Sequence, residues 1–202
     1  MAQVVLFPQT LSPLHVFEPR YRKLLADALL GDRLIGMALV RTGDLGGNPA
    51  VYPIGCAGRV VRHEPLADGR SLIVLRGLLR YRIRGEVDDG KPYRIAEIQA
   101  LHDAPIPAEN MRPWRSDLRG LVSDYLRAAD AEAATLEELF AKSDLERIVN
   151  TLSLSLPLEV LEKQSLLDCS TAEQRYRRLS EILRFKTLEA RLGMATSRDA
   201  DA

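Results

Sequence analysis

Gly85-Glu86-Val87-Asp88-Asp89-Gly90-Lys91 has the G-x-x-x-x-G-K spacing with which a glycine-rich loop wraps phosphate oxygens around a lysine. Its surroundings argue against that chemistry. Pro92 stands where the hydroxyl that binds magnesium belongs, and Asp88 and Asp89 would face phosphate oxygens with negative charge. The residues that follow read as a strand, so no helix N-terminus is at hand to hold a phosphate. The segment is expected to be a hairpin turn. His15, His63 and His102 are not spaced as paired metal ligands on one element, and neither Cys56 nor Cys169 lies at ligand spacing from them. No Gly-x-Ser-x-Gly elbow is present. Cys56, between Gly55 and Gly58, suits a small buried apolar role, and Cys169 falls at a junction between helices. No metal, cofactor or catalytic residue is expected.

Arg76, Arg80, Arg82 and Arg84 form a basic row, the last three alternating with Leu79, Tyr81 and Ile83. Alternation puts Arg80, Arg82 and Arg84 on one face of a strand. The plain reading is the solvated side of an antiparallel sheet; the functional alternative is a face that binds RNA. Aromatic residues do not interleave on that face as base-stacking platforms would. The aromatics nearest to loops and element starts are Phe17, Tyr21 and Trp114, each suited to a core as well as to a binding surface.

The elements that must position these residues fall into two parts with different periods. Gln3 to Phe7 and Leu14 to Phe17 read as short strands, and Leu34 to Val40 as an apolar strand buried on both faces. Thr42 to Pro53 is a loop, and Gly55 to His63 resumes as a strand. Asp68-Gly69 marks a hairpin, Ser71 to Val87 a long strand bulged at Gly77, and Asp89-Gly90 a second hairpin into Tyr93 to Leu101. One helix interrupts them, opened by Pro19 and stopped at Gly31. Pro105, Pro107 and Pro113 mark a linker, after which the apolar period becomes helical. Trp114, Leu118, Leu121, Val122 and Tyr125 form one stripe. Thr135 opens a short helix, Ser143 with Glu146 caps the next, Pro157 starts another through Leu167, and Thr171 with Gln174 caps the last, which Gly193 ends.

The expected fold is therefore α+β: a mostly antiparallel β-domain with one early helix over 1–103, a linker over 104–112, a helical bundle over 113–193 and a disordered tail over 194–202. Composition agrees with a globular chain of 202 residues, 46% apolar and 28% charged, with zero net charge. The part up to Asp103 holds 14 Lys/Arg against 11 Asp/Glu and the remainder 14 against 17, too small a skew to argue for nucleic acid or an anionic membrane. No membrane-length apolar run and no basic n-region is present, so a cytoplasmic protein with two reduced cysteines is expected.

Several ordered segments resemble the N-terminal domain of Lon proteases over nearly the whole chain. The strongest are Leu6-Phe7-Pro8 and Pro13-Leu14-His15-Val16-Phe17-Glu18-Pro19-Arg20-Tyr21-Arg22. Gly55-Cys56-Ala57, Asp68 to Ile83, Pro92 to Glu97 and Lys163-Gln164-Ser165-Leu166-Leu167-Asp168 follow. The resemblance implies a PUA-like β-domain joined to a helical bundle. It also implies recognition of unfolded or degron-bearing proteins, without proteolysis or ATP hydrolysis by this chain. On that basis Phe17, Glu18, Arg20, Tyr21 and Trp114 are peptide-binding candidates, although the Glu18 to Arg22 motif reads first as a lock between the first strands and the helix. RNA binding through Arg76, Arg80, Arg82 and Arg84 is the alternative, and a small enzyme with a site between the two parts is the third reading.

Overall fold

A computed structural model describes residues 4–41, 49–130 and 136–200, with side chains as far as Leu192. Most of the expected Thr42 to Pro53 loop and the expected helix start at Thr135 lie outside the described residues. The order is β1 (Leu11–Val16), α1 (Pro19–Leu30), β2 (Leu34–Met37), β3 (Ile54–Pro65), β4 (Ser71–Val87), β5 (Ile95–Leu101), then α2 (Ala108–Ala128), α3 (Leu136–Lys142), α4 (Leu145–Ser155), α5 (Val160–Asp168) and α6 (Ala172–Ala200). The α+β class is as the periods indicated: one antiparallel sheet, then helices.

The sheet runs β1-β4-β3-β2, with β5 also pairing to β4. The long β4 is the hub. Its first half pairs with β1, its second half with β5, and β3 lies along its other edge. The register on β3 shifts where Ala57 faces Leu79 and Gly58 faces Gly77, so Leu78 is the extra residue of the bulge expected at Gly77. Both hairpin glycines take positive φ, +81° at Gly69 and +73° at Gly90, which fits glycine. The phosphate-loop lookalike is this second hairpin. Asp88 and Asp89 accept the backbone N–H groups of Gly90 and Lys91, and the Lys91 ammonium lies 3.3 Å from Asp89.

Three strand expectations change. The described residues of Gln3 to Phe7 are not a strand; their backbone turns at Pro8 and Gln9, and Gln9 has φ +61°. Gln9 N–H donates to the Gly77 carbonyl, and Gly77 N–H to the Thr10 carbonyl, each at 2.9 Å. These bonds satisfy the segment without a ladder. β2 ends at Met37, with one isolated bridge, Val40 to Val51, beyond it. It is an edge strand buried on one face only: Ile35 is buried and Leu34 exposed. Leu14 to Phe17 becomes Leu11–Val16.

The helices also depart from expectation in places. α2 begins at Ala108, inside the stretch read as a linker, and carries Pro113 within it. α4 is capped by Asp144, one residue past Ser143, whose Oδ1 accepts the Arg147 N–H at 2.8 Å. The Thr171 cap holds, its hydroxyl accepting the Gln174 N–H at 3.1 Å. α6 runs through Gly193 to Ala200, across most of the stretch expected as a disordered tail. One glycine costs a helix only ~1 kcal/mol, so it is not a sufficient stop.

The chain forms two compact units, Met1–His102 with Ser153–Asp168, and Asp103–Leu152 with Cys169–Ala202. The first therefore takes in α5, which the helical period alone had placed with the bundle. The core of the second is Leu118 and Val122 of α2, Ile148 and Val149 of α4, and Leu179 and Leu183 of α6, all fully buried. Arg175 is fully buried among them. It donates to Asn150 Oδ1 at 2.9 Å and to Asp103 Oδ2 at 2.8 Å. The Tyr176 hydroxyl donates to Asp117 at 2.7 Å.

Two outcomes follow from this packing. A Cβ at Gly77 would lie 1.9 Å from the Phe7 carbonyl oxygen, whereas one at Gly85 meets nothing within 4 Å. Gly77→Ala is expected to lower unfolding free energy by ~3 kcal/mol or more, and Gly85→Ala to change it by less than ~0.5 kcal/mol, in urea denaturation. Burial, and then the Asp117 carboxylate, push the Tyr176 hydroxyl up to about 12. An unfolded tyrosine titrates near ~10. The stability tied to the neutral phenol is thus complete below pH ~10 and is lost as pH rises through the folded value. The urea midpoint should fall across that window, and Tyr176→Phe should make the fall shallower.

Candidate functional site

β1 places alternate side chains on the exposed side of the sheet. Leu11 and Phe17 are 53% and 48% exposed, and Pro13 and His15 between them are exposed as well. Register then fixes their neighbours. His15 lies opposite Leu72, which lies opposite Glu64 of β3; Pro13 lies opposite Val74, which lies opposite Arg62. The result is a groove of about 480 Å³ lined by Pro13, Leu14, His15, Leu72, Ile73 and Val74, with Arg62 and Glu64 on its β3 side. Leu72 is 43% exposed. The Arg62–Glu64 pair, at 3.4 Å and well exposed, contributes only ~0–1 kcal/mol and leaves both side chains adaptable. The His15 and Phe17 rings sit 5.6 Å apart and tilted, extending the apolar strip past the end of β1.

This strip is made of half-exposed apolar side chains repeating every second residue on adjacent strands. It matches the spacing of an extended chain lying across it. It has no nucleophile–base pair, and among the described residues no group of three or more His, Cys, Asp or Glu could hold a metal ion. His63 instead sits 3.2 Å from the Ser71 hydroxyl.

The structure separates the sequence-predicted residues. Phe17 belongs to the strip. Glu18 is the N-cap of α1; its carbonyl accepts the Arg22 N–H at 2.9 Å and its carboxylate pairs with Arg20 at 2.9 Å. Arg20 lies 4.7 Å over the Tyr21 ring. Arg22 rests against the β3–β4 turn, so close that a side chain on Gly69 would strike its guanidinium. The Glu18 to Arg22 motif therefore joins helix to hairpin, and of the peptide-binding candidates Phe17 is the one that adds apolar area to the strip. Trp114 lies in the other unit. It is stacked on Tyr176 at 4.6 Å and 7°, with the Arg177 guanidinium 5.4 Å from its ring, so both aromatic partners are already engaged.

The arginine row does not survive as one basic face. Arg76 and Arg82 are exposed, and Arg84 is exposed but bonded to Gln99. Arg80 is 2% exposed and donates to the Leu167 carbonyl of α5 at 3.0 Å. α5 covers that part of the face, which strand alternation alone could not foresee. Gln164 reinforces the attachment, donating to the Ile54 carbonyl at 3.1 Å and to Asp168 at 2.8 Å, while Lys163 donates to the Leu154 carbonyl at 2.6 Å. Desolvation lowers the pKa of that lysine.

A family model described as the ATP-dependent protease La (LON) substrate-binding domain matches residues 1–184. The chain belongs to the Lon substrate-binding domain family. Among curated relatives, Lon protease of Dictyoglomus thermophilum is 26% identical over 188 residues, covering 91% of this chain and 23% of that protein. Lon protease of Trichlorobacter lovleyi is 27% identical over 188 residues, covering 89% of this chain and 22% of that protein. This Lon-type chain thus spans about a quarter of the relatives it matches. In fold it is similar to the Lon N-terminal domain protein from Xanthomonas campestris, with TM-score 0.62, 22% identity, and coverage of 90% of this chain and 93% of that one. It is also similar to the N-terminal domain of Mycobacterium avium complex Lon protease, with TM-score 0.66, 16% identity, and coverage of 92% and 93%. No described helix is long and apolar enough to cross a membrane.

Sequence reading missed Leu72 and Val74 as surface residues. Their signal was available: on the hub strand they alternate with buried Ser71, Ile73 and Leu75. Two variants separate packing from surface. Arg80→Ala is expected to cost ~3 kcal/mol or more in urea denaturation, because it opens a buried space and strips the Leu167 carbonyl of a donor. Leu72→Asp should change unfolding free energy by ~0.5 kcal/mol or less.

Proposed function

We propose that this Lon-type domain is a non-catalytic binding module for extended, partly unfolded or degron-bearing protein segments, taken on the exposed face of β1 and β4. The family description makes it a domain that binds protein substrates. The observation that supports the finer reading is the run of apolar side chains in strand register, exposed Leu11, Pro13 and Phe17 beside exposed Leu72 and half-buried Val74. Contiguous apolar surface on a folded domain usually marks an interaction site. A client with apolar residues at alternate positions would bury them there, while Arg62, Glu64 and Arg76 offer polar contacts at the margin without selecting a sequence. Weak, sequence-tolerant capture suits a protein that must accept many clients.

Fluorescence anisotropy with a labelled, permanently unfolded casein tests this. Wild type should bind, and Phe17→Asp with Leu72→Asp should weaken binding at least tenfold with the fold intact by circular dichroism. Equal binding by the double variant, or none by wild type, would contradict the proposal.

A further inference from the structure

The second unit carries a surface of different chemistry. Arg112, Arg115 and Arg119 stand at i, i+3 and i+7 on α2, which puts them on one face of that helix. Together with Ser116 and with Glu137, Phe140 and Ala141 of α3 they enclose a pocket of about 280 Å³. Phe140 is almost wholly buried, so the pocket has an apolar floor below a basic rim. Arg115 is steadied by the Ser143 carbonyl at 2.9 Å, and Arg119 is bonded to the Glu137 carboxylate. Arg112 is exposed and makes no ion pair among the described residues. Three acids of these helices are engaged elsewhere: Asp117 takes the Tyr176 hydroxyl and Arg184, Glu138 pairs with Lys142, and Asp124 with Arg127. Among the residues lining the pocket, three guanidinium groups accompany one carboxylate, that of Glu137.

The shape of the row decides what it fits. Seven residues of helix span ~10.5 Å, so the row is elongated along the axis. Carboxylates on the same side of an extended peptide recur every two residues, ~6.8 Å apart, so two or three of them can meet such a row. Guanidinium forks suit carboxylates, and Glu137 demonstrates that one already fits at Arg119. We propose that this pocket binds an acidic, extended peptide segment whose carboxylates pair with Arg112 and Arg115 and displace Glu137 from Arg119. Glu137 is then a built-in competitor, which gives the proposal a signature that a merely sticky basic surface lacks. The inference uses a surface other than the sheet strip and does not rest on it.

The test is anisotropy with a fluorescein-labelled dodecapeptide of alternating Glu and Ala, its Gln-for-Glu counterpart, and tripolyphosphate as competitor. The Glu peptide should bind at low salt and weaken as salt rises. Arg112→Glu with Arg119→Glu should weaken it tenfold or more, and Glu137→Gln should strengthen it threefold or more. Phe17→Asp should leave it unchanged. Equal binding of the Glu and Gln peptides, or an unchanged affinity in Glu137→Gln, would overturn the proposal. Tripolyphosphate binding more tightly than the peptide would overturn the peptide assignment.

Discussion

The backbone of Phe7 crosses β4 at Gly77 so closely that even a methyl group there would lie 1.9 Å from its carbonyl oxygen. Two backbone hydrogen bonds fix the crossing, from Gln9 to Gly77 and from Gly77 to Thr10. Much of the first unit depends on this contact. The crossing sets where β1 begins, so it sets the register that faces Pro13 with Val74 and His15 with Leu72. It also seats Leu6 and Phe7, both essentially fully buried. The Leu78 bulge lies beside it, where the extra residue lets β4 serve β1 along one half and β5 along the other. Glycine in a strand lets a second backbone approach there.

The second constraint is polar and buried. Arg80 and Gln164 reach backbone carbonyls across the first unit, binding α5 to the sheet. In the second unit Arg175 joins the side chains of Asn150 and Asp103. Such groups add little net stability over apolar residues of equal size, but leaving any of them unpaired is costly, so they favour one arrangement over near alternatives. The Lys163-Gln164 pair of the Lon-like signature acts here as a fastening, since both side chains are spent on main-chain carbonyls.

Where a residue type dictates local geometry, the chain was legible from its sequence. Asp68-Gly69 and Asp89-Gly90 made the hairpins, Pro19 opened α1, Thr171 capped α6, and the interior glycine marked the bulge. Legibility ended where distant segments decide. Nothing local says that the residues around Phe7 bond to Gly77 instead of forming a ladder, or that Arg80 is covered by a helix 87 residues later. Charge pattern misled for the same reason: alternation assigns a face, and only tertiary packing decides whether that face meets water. Of the proposed surface, Phe17 was readable as a candidate. Leu72 and Val74 were signalled by alternation along β4, but their place beside Pro13 and His15 is set by the register with β1.

A surface that is apolar, exposed and held by a rigid hub can bind extended chains without itself rearranging. That makes the location of binding the sharpest question. Hydrogen–deuterium exchange of this domain, with and without saturating unfolded client, reads it directly. Binding on this face should add protection over 11–17 and 71–76 and leave 80–87 and 95–101 unchanged. Protection confined to 80–101, or to the helices of the second unit, would contradict it.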